Sequence, residues 1–257
     1  MTRTLTLGHL YPDHMNLYGD RGNVIALVRR AQWRGIDLRV IAIDVGQPVA
    51  FDQLDLLFMG GGEDRDQARV AKDFLERGLV LRPYLEAGLP MLAVCGAYQL
   101  LGAYYVTADG QRLPGLGFLP VHTVAGARRS IGNVVAEIRP HAEWPPGLAG
   151  STLVGFENHA GQTFLEPGAL PLAHVLTGSG NNGQDGTEGA VRQHVIGTYL
   201  HGSLLPKNPH LADCLLAWAA ARKGWQLDSA LDDRLEWSAH RALLRRFHKR
   251  GLGGRHP

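Results

Sequence analysis

Apolar residues in the first 105 positions fall in short runs separated by longer stretches of helical periodicity, the pattern of a parallel sheet built from βαβ units. Leu5–Leu10, Leu38–Val45, Asp55–Met59 and Pro90–Cys95 read as strands. Between the first two, Gly22–Arg34 carries Val24, Ile25, Leu27 and Val28, and it gathers Arg29, Arg30 and Arg34 toward its end, where a helix dipole favours cations. Asp64–Leu79 and Leu81–Ala87 read as two further helices.

From about residue 106 to 200 the pattern changes to β-like runs divided by Gly, Pro and Asn, among them Val134–Arg139, Ser151–Val154 and Val195–Leu200. These are expected to extend the same sheet with antiparallel strands. Gly178–Gly189 is so rich in turn residues that it reads as a long flexible hairpin loop. Leu211–Arg222 is apolar on much of its circumference and Asp232–Lys249 is a further helix, so the chain should close with helices on the sheet. With no internal repeat or linker, one domain over 1–257 is expected, its core at about 4–205 and a helical extension at about 208–250.

The 257 residues are 45% hydrophobic, ample for a buried core. A net charge of +2 with 19% charged residues argues against nucleic acid or an anionic membrane as the main partner. One basic concentration, Arg241–Arg250, reads as the solvated end of a terminal helix or as a contact for an acidic partner. No run approaches the roughly 18 apolar residues of a membrane span, and the start lacks the apolar core of a signal peptide, so a cytoplasmic location is expected. Neither the 12 histidines nor the two cysteines show metal-ligand spacing, and no metal is expected.

Candidate chemistry gathers at strand ends. Met91–Gly102 is a strand that stops at Cys95 and restarts as a helix through Gly96 and Ala97, an elbow that would expose a thiol at a helix N-terminus. The alternative is a free cysteine packed as a small hydrophobe. The run Gly60–Gly62 follows another strand, either as a plain turn or as a loop whose backbone approaches a ligand closely. Because loops at the carboxyl ends of parallel strands converge, the N–H groups of Gly61 and Gly96 could serve as oxyanion donors. His201, between an apolar strand and Gly202, is either structural or the base for a thiol.

Val94-Cys-Gly-Ala-Tyr-Gln-Leu-Leu-Gly102, Gly60-Gly-Gly-Glu-Asp64 and Thr198-Tyr-Leu-His-Gly202 together resemble the class I glutamine amidotransferases of the cobyric acid synthase (CobB/CobQ) type, whose cysteine elbow reads C-G-G-Y-Q. Leu17–Asn23, Arg129–Asn133 and Gly155–Thr163 narrow the resemblance to the glutaminase subunits of lipid II isoglutaminyl synthases. The matching motifs span roughly residues 8 to 202.

The resemblance implies a flavodoxin-like α/β fold and a glutaminase that hydrolyses L-glutamine through a cysteine thioester. It implies transfer of ammonia to a separate MurT-like ligase, in a heterodimer that amidates D-glutamate of the lipid II stem peptide in peptidoglycan synthesis. ATP and Mg would be bound by that partner, and this chain, which lacks a G-x-x-x-x-G-K-[ST] loop, would carry no cofactor. A lipid-linked acceptor would hold the complex at the inner face of the membrane. By the same resemblance Cys95 is the nucleophile, His201 the base and Arg129 the ligand of the glutamine α-carboxylate, with adjacent Arg128 as the alternative.

Two positions depart from the family. Ser203 stands where many of its members carry an acid two residues after the histidine, so the partner is expected to supply a catalytic carboxylate, with Glu157 as the internal alternative. Ala97 stands where glycine is usual. A cobyrinate-type amidotransferase and a non-catalytic scaffold subunit of the same fold are the competing readings.

Overall fold

The computed structural model describes residues 3–16, 19–62, 64–142, 144–201, 203–227 and 230–251, apart from the side chains of 64–68 and 248–251. Leu17, Tyr18, Glu63 and Gly202, which belong to the motifs above, lie outside the described residues.

The first half builds a doubly covered parallel sheet. Strands β1 (Arg3–Leu10), β2 (Ile36–Ile43), β3 (Leu56–Met59) and β4 (Met91–Val94) alternate with helices α1 (Arg21–Gln32), α2 (Asp64–Glu86) and α3 (Gly96–Leu101). Two later strands, β11 (Ala190–Arg192) and β12 (Val195–Thr198), complete the order β11-β12-β4-β3-β1-β2. All neighbours are parallel except β11 with β12. Successive side chains of a strand point to opposite faces, so a strand buried on both sides must be apolar throughout. Thus Leu56, Phe58, Leu92 and Val94 join Val24 and Leu27 of α1, with Leu215 and Leu216 of helix α5 (Pro209–Arg222), on one face. Leu57, Met59, Met91 and Ala93 meet Val70, Phe74, Leu81 and Leu85 of α2 on the other.

Three expectations are revised. The stretch read as two helices is one, α2, continuing through Pro83, because Leu81 and Leu85 extend the buried stripe begun by Val70 and Phe74. Among the strands of residues 106–200, β11 and β12 extend the first sheet, whereas the rest form a second one. Strands β5 (Tyr104–Val106), β6 (Arg112–Pro114), β7 (Val121–Ile138), β8 (Thr152–Leu165), β9 (Ala173–Thr177) and β10 (Thr187–Glu188) make the order β10-β9-β7-β5-β6, with β8 paired to β7. The loop after β9 is pinned: Glu157 accepts the N–H groups of Ser179 (2.8 Å) and Gly180 (2.9 Å), and Asn181 and Asn182 are buried. Helix α4 (Leu204–Lys207) follows His201, and helix α6 (Arg234–Gly251) packs Phe247, Leu243 and Leu244 against Val135 and Val154 of the second sheet. No helix among the described residues is long and apolar enough to cross a membrane.

Candidate active site

β4 is buried at every position and ends at Cys95, whose N–H donates to Thr198 O on the neighbouring strand at 2.8 Å. The chain then turns into α3 with Cys95 at φ +53°, a left-handed backbone that L residues adopt only at a cost. This strained turn leaves Cys95 partly exposed, whereas Cys214 is buried in α5 and its thiol is pushed well above the usual range by that burial. Gly96 opens α3, so its N–H belongs to the first turn, where no intrahelical acceptor exists. Ala97 is fully buried among Met91, Leu101 and their neighbours, where its methyl is ordinary core.

β12 runs parallel to β4, and the chain beyond it carries His201 into the same region. His201 exchanges backbone hydrogen bonds with Phe156 of β8, His201 N to Phe156 O at 2.7 Å, which ties the second sheet to this edge of the first. The glycine loop after β3 closes the group. A Cβ built on Gly61 would lie 2.6 Å from His201 Cε1, 3.4 Å from His201 Nε2 and 3.1 Å from Cys95 Cβ. Only hydrogen fits there, so thiol, imidazole and loop are in mutual contact. Burial disfavours a charged His201, but Cys95 and Asp20 outweigh it through charge and hydrogen bonding, and the pKa is pushed up to about 10.

Asp20 is the residue that sequence reasoning missed. Its Oδ1 lies 3.3 Å from His201 Nδ1 and its Oδ2 accepts the Gly61 N–H at 2.8 Å; Asp20 and His201 are both fully buried. An acid immediately before a helix reads as an N-cap, yet Asp20 makes no capping bond, and the Arg21 N–H is taken by Asn16 Oδ1 at 2.7 Å. A carboxylate of this chain, Asp20, faces His201. The Gly61 N–H, expected as an oxyanion donor, is given to Asp20 in this conformation. Glu157, the other internal candidate, is occupied with Ser179 and Gly180.

Arg129 lies apart from this group. It is exposed, where the pairing of β7 with β8 is irregular between Ala125 and Ser130, and its Nη1 donates to Asn158 Oδ1 at 2.9 Å. Arg128 is exposed beside it. A cavity of about 410 Å³ is lined by Gln99 and Leu100 of α3 and by Ala125 and Gly126 of β7, with Tyr105, Leu113 and Ala160. Cys95, His201 and Arg129 do not line it. Among the described residues no cluster of three His, Cys, Asp or Glu side chains could hold a metal.

A parallel sheet that delivers a strained cysteine elbow, a glycine loop and a histidine to one edge defines a cysteine-dependent amidotransferase. Residues 6–209 match the CobB/CobQ-like glutamine amidotransferase domain. The Staphylococcus aureus GatD subunit of lipid II isoglutaminyl synthase (glutamine-hydrolyzing) is 40% identical over 95% of this chain and 97% of its own. The Streptococcus pneumoniae subunit of that name is 35% identical over 85% and 82%. A glutamine amidotransferase from Thermotoga maritima shares the fold, with a TM-score of 0.52 and 14% identity over 95% of this chain and 97% of that one. The chain belongs to the CobB/CobQ-like glutamine amidotransferases and, within them, to the GatD family of glutaminase subunits.

Proposed function

We propose that this chain hydrolyses L-glutamine at Cys95 and passes the ammonia to a separate MurT-like, ATP-dependent ligase that amidates D-glutamate of the lipid II stem peptide. The observation that carries the chemistry is the gathering of Cys95 and His201 around Gly61, where a Cβ would lie 3.1 Å from Cys95 Cβ and 2.6 Å from His201 Cε1. An imidazole beside the sulfur can take the thiol proton and leave the thiolate, the form that attacks carbonyls.

In the proposed sequence Cys95 Sγ adds to the side-chain amide carbon of glutamine, giving a tetrahedral oxyanion to which the Gly96 N–H at the start of α3 would donate. His201 gives its proton to the amide nitrogen, the C–N bond breaks, and ammonia leaves a glutamyl thioester. Neutral His201 then takes a proton from water as the oxygen attacks the thioester, and collapse releases glutamate and the thiolate. Arg129 pairs with the substrate α-carboxylate at the outer rim. Free ammonia is mostly protonated near neutral pH, which is the chemical reason for delivering it directly to a ligase. The lipid-linked acceptor would place the complex at the inner face of the membrane, with ATP and Mg on the partner.

The reading is tested by glutamate release from glutamine by the purified chain, with and without a co-expressed Mur-ligase-like partner. Cys95→Ala and His201→Ala should each abolish release in the complex. Retention by either variant removes that residue from the mechanism, and retention by Cys95→Ala removes the thioester route altogether.

A further inference from the structure

We infer that the exposed face of α6 docks this chain electrostatically on an anionic phospholipid surface. The inference rests on the lipid-linked acceptor of the proposed function and adds to it the part of this chain that meets the membrane. The overall charge of +2 hides a division: residues 237–257 hold six of the 26 cations and no acid, whereas residues 1–236 hold 20 cations and all 24 acids. The chain is thus net negative over most of its length and strongly positive beyond Glu236. Charge segregated in this way marks a surface for an anionic partner, which an average over the whole chain conceals.

The fold holds these cations in place on a docked helix. His240 is buried, its Nδ1 donating to Lys207 O at 2.8 Å and its Nε2 accepting from Thr152 Oγ1 at 2.9 Å, and Phe247 packs on Val135 and Val154. With about 3.6 residues per turn, seating that side of α6 on the second sheet turns Leu235, Arg241, Arg245 and Arg246 outward, and all four are exposed. Among the described residues none of Arg241, Arg245 and Arg246 is paired with a carboxylate, whereas Arg30, Arg77, Arg82 and Arg234 all are. Their guanidinium groups therefore give up no internal partner on meeting a phosphate. The exposed positions between them are small, Ser238, Ala239 and Ala242. Such a smooth, convex ridge offers no pocket to a partner's side chains and fits a plane of headgroups, into which Leu235, 82% exposed, can insert.

The experiment sediments the complete two-subunit complex with vesicles of phosphatidylglycerol or of phosphatidylcholine. Wild type should bind the anionic vesicles alone, and high salt should release it. Arg241→Gln, Arg245→Gln and Arg246→Gln combined should weaken that binding about 100-fold, roughly fivefold per charge, while lysine at the same three positions should keep it. Should the triple glutamine variant not fold, the three single variants decide, each expected to bind about fivefold more weakly. A wild type that binds neither vesicle, or both equally, overturns the inference, as do glutamine variants that bind like wild type. So does a triple variant that separates from the ligase subunit in gel filtration, which would make this face a contact between subunits. Glutamate release from free glutamine should be unchanged by the three substitutions, which lie outside the catalytic group. Cys95→Ala is the control: it should bind vesicles like wild type, and its retained release would sink the glutaminase reading itself, whereas a complex indifferent to vesicles with release intact sinks only this inference.

Discussion

Tyr199 lies flat on His159, their ring centroids 3.7 Å apart and their planes inclined by 11°. The Tyr199 hydroxyl accepts from Gln99 Nε2 at 3.0 Å and bonds Thr163 Oγ1 at 2.6 Å, and Thr163 in turn bonds Thr123 at 2.8 Å. The helix that follows Cys95, the segment that precedes His201 and the two long strands of the second sheet thus meet in one buried polar network. Tyr199→Phe strands Gln99 and Thr163 without their shared partner. It should destabilise the chain by about 1–3 kcal/mol in denaturant unfolding, and kcat should fall because Gln99 no longer holds α3 to the base.

Gly61→Ala isolates the contact between base and nucleophile. Its methyl would stand 3.1 Å from Cys95 Cβ, a tight contact, and 2.6 Å from His201 Cε1, closer than real side chains come, so the imidazole must move. Glutamate release should drop by about 10²-fold or more while the thermal midpoint shifts by only a few degrees. Wild-type kcat in this variant would show that the pair is not held this tightly.

Arg129→Ala should raise KM for glutamine by roughly 10- to 100-fold and leave kcat within a fewfold, as expected for loss of a charged hydrogen bond made equally in ground and transition states. Arg128→Ala should change either constant little. A reversal of the two outcomes would assign the substrate carboxylate to Arg128.

Glu188 sets a pH dependence of stability. It is fully buried at the edge of the second sheet, and Oε1 accepts from Thr198 Oγ1 at 2.6 Å and from the Tyr199 N–H at 2.9 Å. Oε2 has no hydrogen-bond partner among the described residues. Burial raises its pKa to about 7 from an ordinary 4.5, the hydrogen bonds offsetting only part of the shift. A folded-state pKa above the unfolded one gives stability that is complete below pH 4.5 and lost as pH rises through about 7. Glu188→Gln should therefore gain on wild type by about 1–3 kcal/mol in unfolding free energy between pH 4.5 and pH 8. A constant difference across that range would contradict the assignment.

The sequence by itself determined the local elements and three of the site's parts. Runs such as Leu56–Met59 and Met91–Val94 are legible because a strand covered on both faces must be apolar at every position. Cys95, Gly61 and His201 are legible for a related reason: each stands where such a run ends, and parallel strands end on the same side. The division of residues 104–188 into a second sheet was not legible, because strand periodicity says nothing about which edge a strand joins. α2 was read as two helices divided at Val80, although its buried stripe runs on from Val70 and Phe74 to Leu81 and Leu85. Asp20 was hidden most completely, since an acid ahead of a helix has the local signature of a cap. Only tertiary structure could bring it to His201, 181 residues further along the chain, and to Gly61, because contacts between distant segments leave no mark on local sequence pattern.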